Sequence, residues 1–515
     1  MDKKPNIIYF VADQMRADSM AHMGNKASIT PNFDQLAQEG ISFENAYCQN
    51  PVCVPSRISF LSGLYPHTTG HRTIHYLQNE GEPNILRTMK NNGYEVIWIG
   101  RNDVIPGNRT KEEFCDRYYR AFGEGDQKNI LGGEFEALKA QISSNKKANN
   151  YKHEKSKTVE EIQEQINKPG YYSFYVGKVD TEKTDSNNIF AKYDWSCLEQ
   201  ALKYIEEKSK EKNQKPFFLY ITLIYPHPEY MCEEPWFSSI DRKKLPKRRP
   251  SVASLKDKPS MLKEIARKQN LCDWGEENFD EMRATYLAMV SRLDYQFGLL
   301  KDKLKECNLY DDTSIFVFSD HGDYTGDYDI SEKVQNCFDN PITNVPLMLK
   351  PAKQFSIKPR ISKALVELTD ITATVEEMTG IKTEYVNFGK SLMHLFENEE
   401  EHRDAVFCEG GRIHGETWAM ELGHGPESHY WPRLSTQASE GPEHTKAVMC
   451  RMGNWKYVYR LYETDELYNL KDDPEELYNL INESEYSDVI NKMKLRILDW
   501  MVETGNIVPN RKDVR

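Results

Sequence analysis

The chain lacks paired cysteines, long apolar segments and an excess of basic residues. Its ten cysteines are scattered and form no C-x-x-C pair, which argues against a disulfide framework or a zinc ribbon. No apolar run is long enough to span a bilayer. With 80 acidic and 67 basic residues the net charge is −13, which argues against non-specific nucleic-acid binding. We therefore expect reduced thiols and neither a membrane nor a nucleic acid as partner.

The length of the chain indicates the number of domains, and its N-terminal residues indicate the cellular compartment. A chain of 515 residues exceeds a single small domain and favours two domains, one of them large. The first apolar run, residues 7–11, is short and ends before Asp13, so it indicates a strand and not a signal peptide. The sequence as it stands predicts a cytoplasmic protein. Prior removal of a signal peptide would leave the same residues in a periplasmic or secreted protein.

Apolar runs alternate with amphipathic helical patterns through the first three quarters of the chain. Strands are predicted at residues 7–11, 41–47, 94–99, 217–224, 313–319 and 345–349, and helices include residues 31–40, 279–304 and 366–380. This alternation predicts an α/β fold with a large, mostly parallel sheet flanked by helices, and we assign it to residues 1–385.

The remaining residues, 386–515, show a different pattern. Strands are predicted at residues 406–408, 446–451 and 456–460, followed by a helix with apolar residues from Ile490 to Met501. This pattern predicts a smaller C-terminal α+β domain with an antiparallel sheet. A long loop, residues 410–443, contains Trp418 and Trp431 together with histidines, so we expect it to contribute to a substrate pocket.

Residues 51–63 centre on Cys53. The spacing of Ile58 and Leu61 predicts a helix that begins at Pro55, with Cys53 just before its N-terminus. Free N–H groups and the helix dipole favour an anion there, and Arg57 lies one turn into the helix. A thiol in this setting would be reactive, although a small buried cysteine at a helix start fits this stretch equally well.

Polar residues follow the ends of several predicted strands and should meet at one edge of the sheet. The candidate metal ligands are Asp13, Gln14, Asp320 and His321. Oxygen ligands with one nitrogen suit Ca²⁺ best, and Mg²⁺ or Mn²⁺ less well. The candidate positive or protonatable groups around Cys53 are Arg57, Arg101, His227 and Lys333. A metal with several cations is what a site needs to bind a tetrahedral oxyanion and stabilise its transfer.

The stretch Cys53-Val54-Pro55-Ser56-Arg57, followed by Leu61-Ser62-Gly63, matches a specific C-x-P-S-R signature. Through it the chain resembles the type I sulfatase family of the alkaline-phosphatase-like superfamily over nearly its whole length. Further matches are Asp13-Gln14 and Asp320-His321-Gly322 for the metal ligands, His227 for the substrate-facing histidine and Lys333 for the active-site lysine. The resemblance implies an alkaline-phosphatase-like fold and a metal-dependent sulfuric ester hydrolase.

The resemblance also implies a modified residue 53. In the family this cysteine is oxidised by a formylglycine-generating enzyme, and the hydrate of the resulting formylglycine is the nucleophile beside the metal, so Cys53 is a further candidate metal ligand. Asp320 would then assist deprotonation, and His227 would protonate the departing alcohol. The groups that would neutralise the sulfuryl oxygens are Arg57, Arg101 and Lys333. We expect a sulfated saccharide as substrate, because the aromatic faces of the 410–443 loop suit pyranose rings.

Four positions depart from the family pattern or widen it. Arg101 and Asp103 stand where lysine and histidine are usual, which keeps the charge and leaves the role of Asp103 open. Asn344 stands where arginine is common. Gln14 in place of a second aspartate also occurs in phosphonate monoester hydrolases, so a phosphonate monoester or phosphodiester hydrolase is the alternative. A non-catalytic sulfated-glycan-binding protein is a third hypothesis, and the complete set of core residues argues against it.

Overall fold

The computed structural model describes residues 4–120, 163–164, 166–180, 186–212, 215–271, 273–383 and 385–508. Within these ranges an eight-stranded sheet consists of β1 (Asn6–Asp13), β2 (Ile41–Tyr47), β3 (Glu95–Gly100), β4 (Arg117–Tyr119), β6 (Phe217–Pro226), β8 (Thr313–Ser319), β9 (Leu347–Lys350) and β10 (Arg360–Glu367). Their order is β10-β2-β9-β8-β1-β6-β3-β4. Only β9 pairs antiparallel with its neighbours, so the predicted large, mostly parallel sheet is confirmed. A separate parallel pair joins β5 (Tyr175–Lys178) and β7 (Tyr230–Cys232).

Helices cover the sheet and connect its strands. Those of the larger unit are α1 (Pro31–Glu39), α2 (Cys53–Ser62), α3 (Pro66–Thr69), α4 (Ile85–Asn91), α5 (Ser186–Ser209), α6 (Trp236–Ser239), α7 (Ser260–Gln269), α8 (Glu276–Glu306), α9 (Asn340–Thr343) and α10 (Asp370–Thr379). In the part of the chain that the structure describes, no helix combines the length and apolarity that crossing a membrane requires.

The central strand β1 is apolar on both faces because both are covered. Tyr9 and Val11 enter the core on one side of the sheet, and Ile8 and Phe10 enter the core on the other. All four are fully buried, as a parallel strand between two helical layers requires. The strand therefore holds its last residue, Asp13, in a fixed place at the edge of the sheet.

The smaller C-terminal unit is an antiparallel sheet backed by a helix. Its strands, in spatial order, are β11 (Val406–Gly410), β12 (Ala447–Met452), β13 (Trp455–Arg460) and β14 (Glu466–Asn469). The short α11 (Trp431–Gln437) lies between β11 and β12, and α12 (Ser487–Thr504) packs on the sheet through Met493 and Trp500. The predicted α+β unit is confirmed, while the boundary at residue 385/386 stays a prediction.

Two helix predictions require correction. The helix α2 begins at Cys53 and not at Pro55, since the N–H of Ser56 bonds to the carbonyl of Val52 at 3.2 Å. Pro55 is tolerated at its third position because the first N–H groups of a helix have no internal partner. The helix predicted over 366–380 begins at Asp370, and its first residues belong to β10.

Candidate active site

The carboxyl ends of four neighbouring strands deliver predicted site residues to one edge of the sheet. The strands β8, β1, β6 and β3 lie side by side in that order. Asp320 follows β8, Asp13 ends β1, His227 follows β6 and Arg101 follows β3. The predicted convergence of polar residues at the carboxyl edge is thus what the structure shows for these four.

Helix α2 directs Cys53 into this edge. The Cys53 Sγ lies 3.1 Å from Nε2 of His321 and 3.6 Å from Oδ1 of Asp13. The hydroxyl of Ser56 donates to the carbonyl of Asp320 at 2.6 Å, which fastens the first turn of the helix to the end of β8. Cys53 is only 5% exposed, and burial, followed by the charge of Asp13, raises the pKa of its thiol. An unmodified Cys53 would therefore remain a protonated thiol and a poor nucleophile.

Four of the proposed ligands form one buried cluster that could hold a metal ion. One ligand atom from each of Asp13, Cys53, Asp320 and His321 lies within 4.8 Å of the others. Oδ2 of Asp13 accepts from two arginines, whereas Oδ1 faces Cys53 and His321. Two carboxylates and an imidazole fit a hard divalent cation, and an oxygen at residue 53 would fit it better than sulfur.

Gln14 lies beside this cluster and its amide is held between two other groups. Its Nε2 donates to Oδ2 of Asp323 at 2.6 Å, and its Oε1 accepts from Nζ of Lys333 at 2.8 Å. Its backbone is left-handed, with φ of 70°, and its N–H donates to Oδ1 of Asp320 at 3.1 Å. A ligand role for Gln14 stays a prediction.

Arg57 ties the two ligand carboxylates together. Its Nε donates to Oδ2 of Asp320 at 2.8 Å, and its Nη2 donates to Oδ2 of Asp13 at 2.9 Å. The side chain is fully buried, so these charges interact in a medium of low polarity. In this structure Arg57 neutralises the two carboxylates, and its role toward the sulfuryl oxygens stays a prediction.

Asp103, whose role the sequence left open, joins the two arginines of the site. Its Oδ2 lies 2.9 Å from Nε of Arg101 and 3.5 Å from Nη1 of Arg57. Asp103 and then Asp13, which lies 3.1 Å from Nη1 of Arg101, hold the pKa of Arg101 above its ordinary value against the effect of burial. Asn344, which stands where the family commonly has arginine, donates from its side-chain amide to the backbone carbonyl of Glu44 at 3.1 Å.

Lys333 and His227 form a hydrogen-bonded pair next to the cluster. The Lys333 Nζ lies 3.1 Å from Nε2 of His227, and Nδ1 of His227 bonds to the carbonyl of Pro228. Burial and the charge of Lys333 lower the pKa of His227 well below its ordinary value. The imidazole is therefore neutral, donates from Nδ1 and accepts the ammonium proton at Nε2.

Sequence reasoning missed two residues that support Lys333. Glu332 lies 3.2 Å from Nζ of Lys333 through Oε1, and its Oε2 accepts from Nε of Arg433 at 3.0 Å. Arg433 lies in α11, within the 410–443 loop, and also donates to Glu421 at 3.2 Å. The aromatic residues of that loop were the sequence feature that could have pointed to these contacts. Of its tryptophans, Trp418 is 82% exposed, whereas Trp431 stacks on Tyr172 with ring centres 6.0 Å apart.

Known proteins match this chain over nearly its whole length. A curated relative, the multifunctional alkaline phosphatase superfamily protein PehA of Trinickia caryophylli, is 24% identical over 96% of this chain and 95% of that protein. Other relatives matched over more than nine tenths of the chain are named sulfatase or arylsulfatase.

Solved structures give the same fold. The phosphonate monoester hydrolase of Agrobacterium radiobacter has a TM-score of 0.70 at 20% identity and covers 97% of this chain and 96% of its own. BT4656, solved with its substrate D-glucosamine-2-N,6-O-disulfate, has a TM-score of 0.66 at 18% identity and covers 99% of this chain and all of its own. Finally, the family model described as Sulfatase matches residues 5–381. The chain therefore belongs to the sulfatase family and is an enzyme of that family.

Proposed function

We propose that this enzyme releases sulfate from a sulfated saccharide, with formylglycine at position 53 and a divalent cation, Ca²⁺ first, in the buried cluster. The observation that carries the proposal is the position of Cys53, whose Sγ faces both Asp13 and His321 at the N-terminus of α2. Sulfate ester hydrolysis is the activity of the family to which the chain belongs. The saccharide, the metal and the modification are the proposed parts.

The cation would be held by Asp13, Asp320 and His321, with residue 53 and Gln14 as further ligands. When bound, it would supply positive charge next to the nucleophile and the sulfuryl oxygens. Arg57 keeps the two carboxylates together, and its charge offsets their mutual repulsion in the absence of solvent. Arg101, 35% exposed, is the arginine that a sulfuryl oxygen can reach from the cavity side.

The nucleophile would be a hydroxyl of the formylglycine hydrate. We assign acceptance of its proton to Oδ1 of Asp13, which lies 3.6 Å from the present Sγ. Asp320 is less suited to this step because its oxygens already accept the N–H groups of Gln14, His321 and Arg57. The second hydroxyl of the hydrate then expels sulfate, a release that an ordinary serine or cysteine nucleophile could not achieve in this way.

The departing alcohol needs a proton, and we assign it to the Lys333–His227 pair. Neutral His227 accepts a hydrogen bond from the Lys333 ammonium at 3.1 Å, so the ammonium carries the proton of the pair. Glu332 and Gln14 hold the ammonium in place from two further directions. The pair can therefore donate to an alcohol oxygen and recover its proton from water.

A sulfated saccharide is favoured over a simple aryl sulfate by the surroundings of the site. Within the 410–443 loop, the guanidinium of Arg433 lies 5.8 Å from the ring centre of Tyr430, and Arg433 and Lys333 both contact Glu332. Aromatic faces next to charged groups suit a pyranose ring that carries an anion. BT4656, which has the same fold, was solved with a disulfated glucosamine.

The test is sulfate release from 4-nitrophenyl sulfate by protein co-expressed with a formylglycine-generating enzyme. We expect turnover in the wild type and none in Cys53→Ala, because the variant has no precursor of the aldehyde. Cys307→Ala is the matched control, since Cys307 is a partly exposed free cysteine outside the cluster, and it should retain activity. Turnover by Cys53→Ala would overturn the assignment of the nucleophile.

A phosphonate monoester or phosphodiester hydrolase is the second candidate. The likeness to the Agrobacterium phosphonate monoester hydrolase favours it, as does Gln14 in the first ligand pair. The same apparatus would serve either reaction, so the two differ only in substrate. The ratio of kcat/KM for an aryl sulfate to that for an aryl phosphonate monoester decides between them. We expect kcat/KM to be higher for the aryl sulfate.

A further inference from the structure

A large polar cavity opens beside the active site on the side of Arg101. Its volume is about 620 Å³, and Arg101 and Asp103 form its inner end. The residues that matter for its chemistry beyond them are Lys111, Tyr118, Arg120 and Tyr193. Arg101 thus touches the ligand Asp13 at 3.1 Å and lines this cavity at the same time. A substrate whose ester lies at Cys53 can extend past Arg101 into the cavity.

The outer part of the cavity carries two cations without a partner carboxylate. Within the described ranges of the chain, neither Lys111 nor Arg120 has an aspartate or glutamate oxygen within 4.0 Å. Other nearby cations are paired: Arg109 lies 2.7 Å from Glu113, and Lys90 lies 3.6 Å from Asp116. The cavity therefore carries local positive charge in a chain whose net charge is −13.

Lys111 and Arg120 both line the cavity, where Lys111 is partly buried and Arg120 is exposed. Burial, the largest effect, lowers the pKa of Lys111, while Cys115 opposes this shift and the like charge of Arg120 adds to it. The Lys111 Nζ also lies 5.5 Å from the ring centre of Tyr118. An anion bound between these two cations would neutralise both charges.

The basic run at residues 242–249 gives a useful contrast. Arg242 pairs with Glu281 at 3.0 Å, Arg248 with Asp329 at 2.7 Å, and Arg249 with Asp327 at 2.9 Å. These three arginines are therefore neutralised within the described part of the chain. The sequence alone does not distinguish the two sets, since both are simply basic.

We propose that this cavity is a subsite for a second anionic group of the substrate, a sulfate or a carboxylate, bound by Lys111 and Arg120. The inference rests on the proposed function and narrows it to saccharides with at least two anionic groups. The scissile ester lies at residue 53, Arg101 lies between the two anions, and the faces of Tyr118 and Tyr193 line the path of the intervening ring. Asp103 does not cancel this charge because Arg101 and Arg57 already engage it.

The kinetic test compares three sulfate esters on the wild type and on Lys111→Ala/Arg120→Ala. The esters are 4-nitrophenyl sulfate, a disulfated disaccharide and a monosulfated disaccharide that contains a uronic acid. We expect the double variant to lose about tenfold or more in kcat/KM for a two-anion ester, as removal of charged hydrogen bonds does, with 4-nitrophenyl sulfate changed less than about twofold. The uronate and disulfated arms show which second anion is preferred.

Lys90→Ala is the matched control, because Lys90 is a nearby lysine with its own carboxylate outside the cavity lining. It should leave all three rates unchanged. Equal losses on every ester, or no loss on the two-anion esters, would overturn the subsite. No turnover of any of the three esters by the wild type would instead contradict the proposed function.

If the wild type shows no turnover, a binding measurement still tests the subsite. Cys53→Ala protein, which cannot turn over the ester by the proposed route, is titrated calorimetrically with a disulfated and a monosulfated disaccharide. We expect the disulfated ligand to bind about tenfold or more tightly, and Lys111→Ala/Arg120→Ala in the same background to remove the difference. Equal affinity of the two ligands for the unaltered cavity would contradict the subsite without reference to catalysis.

Discussion

Asp103 shows how a single carboxylate can organise a site without being a ligand of it. It contacts Arg101 and Arg57, and both arginines contact Asp13. The four side chains form a closed ring of alternating charge, in which each group fixes the direction of the next. Such outer partners orient the groups that carry the chemistry.

Asp103→Asn should therefore lower kcat/KM by about tenfold to a hundredfold, because a neutral amide at this position cannot hold two guanidinium groups by charge. The measurement is steady-state kinetics on an aryl sulfate at saturating metal. Asp116→Asn, at a more exposed carboxylate that pairs with Lys90, is the control and should change little. An unchanged rate in Asp103→Asn would show that the ring has no part in catalysis.

At the scale of the element, α1 depends on a carboxylate supplied by α8. Asp294 accepts from the N–H of Phe33 at 2.7 Å and from the N–H of Asn32 at 3.2 Å, and so caps the start of α1. Burial, the largest effect, raises the pKa of Asp294 to about 6. The folded state therefore binds a proton more tightly than the unfolded chain, whose aspartate titrates near pH ~3.9.

The contribution of Asp294 to stability is consequently full below pH ~3.9 and falls as the pH rises to about 6. Asp294→Asn should remove this decline, so that the difference in unfolding free energy between variant and wild type changes between these pH values and is constant above them. Urea unfolding across that interval measures it. Asp302→Asn, an exposed position on the same helix, should follow the wild type. If the unfolding free energy of Asp294→Asn declined with pH as that of the wild type does, the proposed role of Asp294 would be contradicted.

The strands also show which parts of the fold can be predicted from sequence patterns and which cannot. The continuous apolar run of β1 predicted a buried parallel strand, because covering both faces demands it. The edge strand β10 was missed since Arg360, Lys363 and the 44% exposed Ile361 interrupt its apolar pattern. The motifs placed Asp13, Cys53 and Asp320 together, whereas the link from Glu332 to Arg433 joins residues 101 positions apart and follows only from the fold.

At the scale of the whole molecule, a buried ion pair joins the two sheets. Asp370, at the start of α10 beside the large sheet, bonds to Nε of Arg403 at 3.0 Å, and Arg403 precedes β11 of the small sheet. Burial raises the pKa of Asp370, but Arg403 and His402 outweigh that effect and hold it below its ordinary value. The pair therefore stabilises the joint at neutral pH and weakens under acid conditions.

Arg403→Ala should destabilise the protein by about 3–5 kcal/mol, because it leaves buried Asp370 without its partner. Denaturant unfolding at pH 7 measures the loss. Arg267→Ala provides the control, since Arg267 is 69% exposed and its pair with Glu264 should contribute under about 1 kcal/mol. A loss in Arg403→Ala no larger than in the control would show that this ion pair does not hold the two sheets together.

The central claim is that residue 53, as formylglycine within the buried cluster, carries sulfate ester hydrolysis. It is tested most directly by preparing the protein with graded amounts of the formylglycine-generating enzyme. The converted fraction of residue 53 is measured by mass spectrometry and compared with sulfate release from the same samples. We predict a straight line through the origin. Turnover in a sample whose Cys53 is wholly unconverted would contradict the claim.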